Sequence, residues 1–215
     1  ETMLIRHILS HTAGLPAVDA MPLPMETLSN WDKMVELLAA QKPWWEPGKE
    51  WGYHAFTFGH LVGEVVRRIT GKTLGNFFRE EVAEPLGADF HIGLPTKHEP
   101  RVAEIIPPPE LKQGDLGYTS PESMAGRAMN FPVTSPLIAN DRSFRAVESP
   151  ASNGHGNARS IARVTSAVAC GGEVGGVHLM GMPTINKAFQ EQYYGTPRSW
   201  GLPIRFGIGF ALPSK

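Results

Sequence analysis

The chain has 215 residues, 41% of them hydrophobic and 19% charged, with a formal net charge of −1 at neutral pH. That balance is typical of a globular protein and excludes the basic surface that nucleic acid or an anionic membrane would require. No apolar run approaches the roughly 20 residues needed to cross a bilayer, and the single cysteine, Cys170, excludes an intrachain disulfide.

In chain order, the apolar spacing predicts a short helix from Thr2 to Ser10, with Leu4, Ile5, Ile8 and Leu9 on one side. The tight turn Ser10-His11-Thr12-Ala13-Gly14-Leu15-Pro16 breaks it. Residues 17–29 read as a Met/Pro-rich loop. Asn30 is the cap of a helix to about Ala40, with Trp31, Met34, Leu37 and Leu38 inward. A proline- and tryptophan-rich loop from Gln41 then delivers Tyr53 to the start of a long amphipathic helix. Its apolar residues Phe56, Phe58, Leu61, Val62, Val65, Val66 and Ile69 follow a three-and-four spacing, and Gly71 ends it.

Thr73 caps a further helix with Leu74, Phe77, Phe78 and Val82 as its stripe, stopped by Pro85 and Gly87. Phe90 to Gly93 reads as a short strand, and residues 94–119 as a surface loop. Ser120-Pro121-Glu122 opens a helix to about Ala128, with proline at its first position. Residues 130–157 read as loop with one helical turn around Arg142 to Val147. Ala158 to Cys170 is predicted helical, with Ile161, Val164, Ala167 and Val168 buried and Cys170 a small buried hydrophobe. Pro183 opens a last helix to about Gln192, and Phe206 to Leu212 reads as a strand. A strand without a partner cannot satisfy its backbone groups. Together with Glu1 at the start, it leads us to expect an internal piece of a longer protein.

The residues that invite chemistry each have a plainer reading. His54 and His60 are six apart and His91 and His98 seven apart, neither pair shares a helical turn, and there is no H-E-x-x-H, so no metal or other cofactor is expected. Gly71-Lys72-Thr73 resembles the tail of a phosphate loop, but it follows a helix and lacks the first glycine. Glu80-Glu81 reads as a solvated helix face. Gly154-His155-Gly156 reads as a turn that needs positive backbone angles. On pattern alone, Tyr53 is a half-buried aromatic bonded to a backbone carbonyl.

Four segments change that reading. I5-R-H-I-L-S-H-T-A-G-L-P16 resembles a signature of the serine β-lactamase-like hydrolases, which include class C β-lactamases, penicillin-binding-protein-like peptidases and carboxylesterases. P43-W-W-E-P-G-K-E-W-G-Y53 resembles that family's approach to its catalytic tyrosine. F77-F-R-E-E-V-A-E-P-L-G87 and N153-G-H-G-N-A-R-S-I-A-R163 are similar to later segments in the same order.

The resemblance implies an α+β fold: a mainly helical region, here residues 1–200, and an α/β sandwich with an antiparallel sheet. Residues 201–215 would begin that sandwich and contribute one strand. It also implies a three-part site of an S-x-x-K serine and lysine, a tyrosine, and a strand-borne Lys/His-x-Gly motif. Only the tyrosine maps here, onto Tyr53, and no S-x-x-K occurs in the chain. His54, Ala55 and Val18 are the implied substrate contacts. Class C enzymes place Asn two residues after the tyrosine, where this chain has Ala55. That departure favours carboxylic esters over lactams as the small-molecule substrate, with a β-lactamase or D-Ala-D-Ala peptidase as the alternative enzyme. A catalytically inactive binding module is the reading from a different class, since this chain carries no nucleophile of its own.

Overall fold

The structure, a computed structural model, describes residues 3–20, 23–24, 26–107, 120, 122–129, 136–197 and 202–213. The expected helix start at Thr2, the loop through 108–119 and the helix-opening Pro121 lie outside them. Helix α1 (Ile5–Leu9) leads into the turn around Gly14, with Leu4 and Ile5 left exposed. A short α2 (Glu26–Ser29) interrupts the expected loop. Helix α3 (Trp31–Ala40) begins where the Asn30 side chain accepts the Lys33 N–H at 3.1 Å. Helix α4 (Thr57–Thr70) ends at Gly71, whose φ of 73° is the left-handed conformation expected of a glycine cap.

The core forms where α3 and α4 meet the segment after the first turn. Val18, Met34, Leu38 and Phe144 are buried together, with Leu23, Leu37, Phe56, Leu61 and Ile138 packed against them. The α3–α4 contact is also polar: the Trp31 indole N–H donates to Glu64 Oε2 at 2.9 Å. Arg67 and Arg68 donate to the same carboxylate. These hydrogen bonds hold the Glu64 carboxyl down at about 2, against the rise that burial alone would cause.

After Thr73, α5 (Leu74–Phe78) does not stop at Pro85. It widens into a π-helical turn over Arg79–Ala83 and continues as α6 (Glu84–Leu86), with Pro85 in the first turn of α6. Proline has no N–H to give and its ring crowds the preceding turn. The wider turn carries the chain past it, and Gly87 ends the helix. Strand β1 (Phe90–Ile92) follows, then a 3₁₀ helix at Thr96–Arg101. Helix α7 (Met124–Met129) takes its cap from Ser123, not Ser120: Ser123 Oγ accepts the Gly126 N–H at 3.0 Å. A 3₁₀ turn at Pro136–Asn140 lies in the segment read as loop, and α8 (Arg142–Ala146) forms where one helical turn was expected.

Strand β2 (Gly154–Gly156) is a correction. It pairs antiparallel with β1 in the register Phe90↔Gly156, His91↔His155 and Ile92↔Gly154. Its glycines are not needed for positive φ. A Cβ on either Gly154 or Gly156 would fall 2.5 Å from the Phe90 ring, so they make room for that ring across the pair.

Helix α9 (Ala158–Ala169) is capped by Asn157. Of its expected stripe only Ala167 is buried, and Ile161 is 50% exposed. Val168 faces an open apolar cavity of about 470 Å³ shared with Met182, Ile185, Phe189 and Phe210. Cys170 is exposed, because it lies just past the last turn of α9 and not on its packed side. The hairpin β3 (Glu173–Val174) and β4 (Val177–His178) precedes α10 (Met182–Ala188).

The terminal strand has a partner and is shorter than expected. Strand β5 (Tyr193–Gly195) pairs antiparallel with β6 (Ile204–Phe206), register Tyr193↔Phe206. Beyond Phe206 the chain bends back through Gly209 to a single bridge, Phe206↔Ala211. The described strands therefore form three two-stranded sheets rather than one lone strand, within a mixed α+β architecture.

Candidate active site

Two segments far apart in sequence form one unit. The Trp44 N–H donates to Gly14 O at 2.8 Å, the Gly48 N–H to Thr12 O at 2.9 Å and the Gly52 N–H to His11 O at 3.1 Å. The Trp45 indole N–H adds a bond to Thr12 O at 3.2 Å, and the Thr57 hydroxyl donates to Leu15 O at 2.6 Å. The close approach depends on Gly14. Its φ is 79°, and a Cβ there would lie 2.7 Å from Trp45 O. The turn after α1 thus serves as the template on which the loop leading to Tyr53 is built.

His54 and His11 complete the interlock. His54 is 0% exposed. Its Nε2 accepts the Leu15 N–H at 3.0 Å, so in the neutral ring Nδ1 carries the hydrogen, which faces Gly52 O at 2.6 Å. Burial pushes its pKa down to about 4, against the upward pull of the Gly52 carbonyl. Neither ring nitrogen is free to meet a substrate. The His54 N–H donates to His11 Nδ1 at 3.1 Å. His11 is pushed down to about 3, by burial first and by neighbouring His54 second. Both imidazoles are neutral at physiological pH.

His11 is also the one non-glycine residue with positive φ among those described, at 59°. Its ring sits in an aromatic cage. The centroids of Phe58, Tyr53, Phe206, His54 and Trp51 lie 4.6, 4.9, 5.2, 5.5 and 5.8 Å away. The cage joins the first turn, the tyrosine loop, α4 and the C-terminal hairpin. In the sequence His11 belongs to the turn and to the first family-resembling segment, and neither attaches a role to it. The signal available was a histidine, a residue type more tolerant of the left-handed region than most, at the centre of a turn.

Tyr53 itself is 37% exposed. It lines a narrow crevice with Pro16, Gly52 and, from α7, Met124, Ala125, Ala128 and Met129. The crevice is about 10 Å³, room for about one water. Its other walls are apolar side chains or glycine. Ala55 is half-buried in the turn that follows. Val18 is not near the crevice surface: it is 1% exposed, and its side chain is taken up by the core beside Met34, Leu38 and Phe144. The structure therefore keeps Tyr53 at a surface, seals His54 beneath it and assigns Val18 to packing.

A second, larger cavity of about 450 Å³ lies along β1, β2 and the Thr96–Arg101 turn, and Tyr53 is not among its walls. His91 and His98 stack there with centroids 4.3 Å apart, His155 faces the same space, and Asp89 is paired with Arg101. Among the described residues, no group of three or more His, Cys, Asp or Glu side chains is arranged to hold a metal ion.

The beta-lactamase family model matches residues 1–215. The esterase/beta-lactamase LipL of Mycobacterium tuberculosis is 33% identical to this chain, aligned over 97% of the chain and 50% of LipL. The crystal structure of a family VIII carboxylesterase superposes with a TM-score of 0.86 at 39% identity, over 99% of this chain and 55% of its own. A penicillin-binding protein homologue from Caulobacter crescentus gives a TM-score of 0.81 at 33% identity, over 96% and 54%. The chain spans about half the length of these relatives.

Proposed function

The chain belongs to the beta-lactamase family, and on that premise we propose that the protein carrying it is a serine hydrolase for carboxylic esters, working through an acyl-serine with Tyr53 as a proton-transfer residue. The observation that carries this reading is the placement of Tyr53: its ring is part-exposed at a crevice while the peptides around it are fixed by buried hydrogen bonds. A group that relays a proton must be reachable by the reacting atoms and must hold its position without reorganising.

In this reading the serine oxygen bonds to the ester carbonyl carbon as its proton passes to a base that includes Tyr53. The proton then moves to the departing alcohol as the carbon–oxygen bond breaks. Water releases the acyl group as a carboxylic acid and restores the serine. No S-x-x-K occurs in residues 1–215, and the proposal assigns the serine and its lysine to the protein outside them. The buried imidazoles of His11 and His54 fix the tyrosine loop without adding charge beside it.

Ester substrates are favoured over lactams on Ala55, which has no amide to orient a lactam carbonyl group. The carboxylesterase among the similar structures supports the same choice. Lactam hydrolysis is the second reading, on the strength of LipL, whose name pairs both activities. The test is turnover by the full-length protein of p-nitrophenyl acetate against a chromogenic cephalosporin. Faster ester turnover, reduced by roughly 10²-fold or more in Tyr53→Phe, is the expected result. Unchanged ester turnover in Tyr53→Phe removes the assignment.

A further inference from the structure

We propose that His11 is a positioning residue for Tyr53: its strained backbone and neutral ring set the tyrosine's place through the His54 peptide N–H. The inference rests on Tyr53 acting in catalysis. A non-glycine residue in the left-handed region is held there by its surroundings against its own conformational preference. Here what holds it is visible. The His11 backbone carbonyl accepts the Gly52 N–H at 3.1 Å, and its ring Nδ1 accepts the His54 N–H at 3.1 Å. One residue thus grips the chain immediately before and immediately after Tyr53.

The ring does the rest. It lies 4.9 Å from the Tyr53 ring, tilted by 49°, and contacts Phe58 and Phe206 on other sides. With Nδ1 accepting, the hydrogen of the neutral ring is on Nε2, so the imidazole has one orientation that satisfies the His54 peptide. A flipped ring would leave that buried N–H unpaired against a C–H edge. The orientation is therefore fixed, and with it the wall against which the tyrosine ring rests. A displacement of about 1 Å at a catalytic group is enough to cost up to about 10²-fold in rate.

Three substitutions separate this role from simple packing. His11→Gly keeps the left-handed backbone but removes the ring and its acceptor. His11→Phe fills the cage but leaves the His54 N–H unpaired. His11→Asn tolerates the backbone, and its Oδ1 stands where Nδ1 stood. In the full-length protein with p-nitrophenyl acetate, Gly and Phe are expected to lower kcat by about 10-fold or more with KM within about 3-fold. Asn should recover kcat to within about 3-fold of wild type. In a Tyr53→Phe background the His11→Gly loss should shrink to about 2-fold or less, because the residues act as one unit.

Thermal melts of each variant report the folded fraction. Where Gly does not fold, the comparison of Phe with Asn decides. Asn no better than Phe, or a His11 loss that is undiminished in the Tyr53→Phe background, overturns the inference. If Tyr53→Phe itself turns over like wild type, the catalytic reading fails and takes this one with it. If Tyr53→Phe is impaired while His11→Gly keeps wild-type kcat, only the role of His11 fails.

Discussion

The backbone N–H of His54 is bonded to the ring of His11, 43 residues earlier in the chain. This contact, with the return bond from the Leu15 N–H to His54 Nε2, turns two loops into one buried, polar, hydrogen-bonded unit. Helices α1 and α4 leave from its two ends, and Tyr53 stands at its surface. The unit is neutral because both imidazoles are buried, and that neutrality has a measurable consequence.

The pKa values of His54 and His11 are pushed down to about 4 and about 3, from 6.5. Between those values and 6.5 the unfolded chain binds more protons than the folded one, so stability rises with pH there. It is complete above pH 6.5 and is lost progressively as pH falls towards 4 and below. Chemical denaturation midpoints of the full-length protein should therefore drop through that window. The drop should be shallower in His54→Gln, which has no titrating side chain. A flat profile between pH 6.5 and 4, or an equal slope in both proteins, is the contrary outcome.

Glu64 predicts a second acid transition at lower pH. Its carboxyl is held at about 2 by Arg67, Trp31 and Arg68, against the opposing pull of burial, and below its ordinary 4.5. The stability it contributes is present above pH 4.5 and is lost as pH falls through about 2. Glu64→Gln should cost about 1–3 kcal/mol near neutral pH by weakening charge-assisted bonds at the α3–α4 contact. It should also remove part of the acid loss below pH 4.5. A variant with wild-type stability at pH 7 would show that the carboxylate is not holding those helices.

Much of this architecture is legible in residue order. The three-and-four spacing before Gly71, the Asn30 cap and the Thr73 cap are local features, and the helices appear where those features put them. What failed was non-local. Gly154 and Gly156 suggest a turn until Phe90, more than 60 positions earlier, is seen lying over them. The exposure of Ile161 and Cys170 depends on what packs beside α9, which a helical period does not specify. Pro85 carries a local stop signal, but the π-helical turn before it lets the helix run on to Gly87, which the proline alone does not reveal. At the candidate site, Tyr53 is picked out by resemblance alone, whereas His11 lies within the first resembling segment without a role, since what distinguishes it is a backbone angle and a cage that joins four segments.

Gly14 tests whether the first turn really serves as the template for the tyrosine loop. Gly14→Ala places a methyl 2.7 Å from Trp45 O in a backbone conformation of φ 79°. We expect a loss of stability of more than about 1 kcal/mol together with reduced esterase activity in the fraction that remains folded. Wild-type activity in the folded fraction would separate the turn from the site.

The central claim, a serine nucleophile outside this chain served by Tyr53 within it, is tested most directly by a fluorophosphonate probe. The full-length protein is labelled, the adduct is mapped by peptide mass spectrometry, and the labelling rate is compared in wild type and Tyr53→Phe. The account predicts a single labelled serine outside residues 1–215, with labelling slowed roughly 10²-fold in Tyr53→Phe. No adduct, an adduct on a serine within residues 1–215, or equal rates in the two proteins would contradict it.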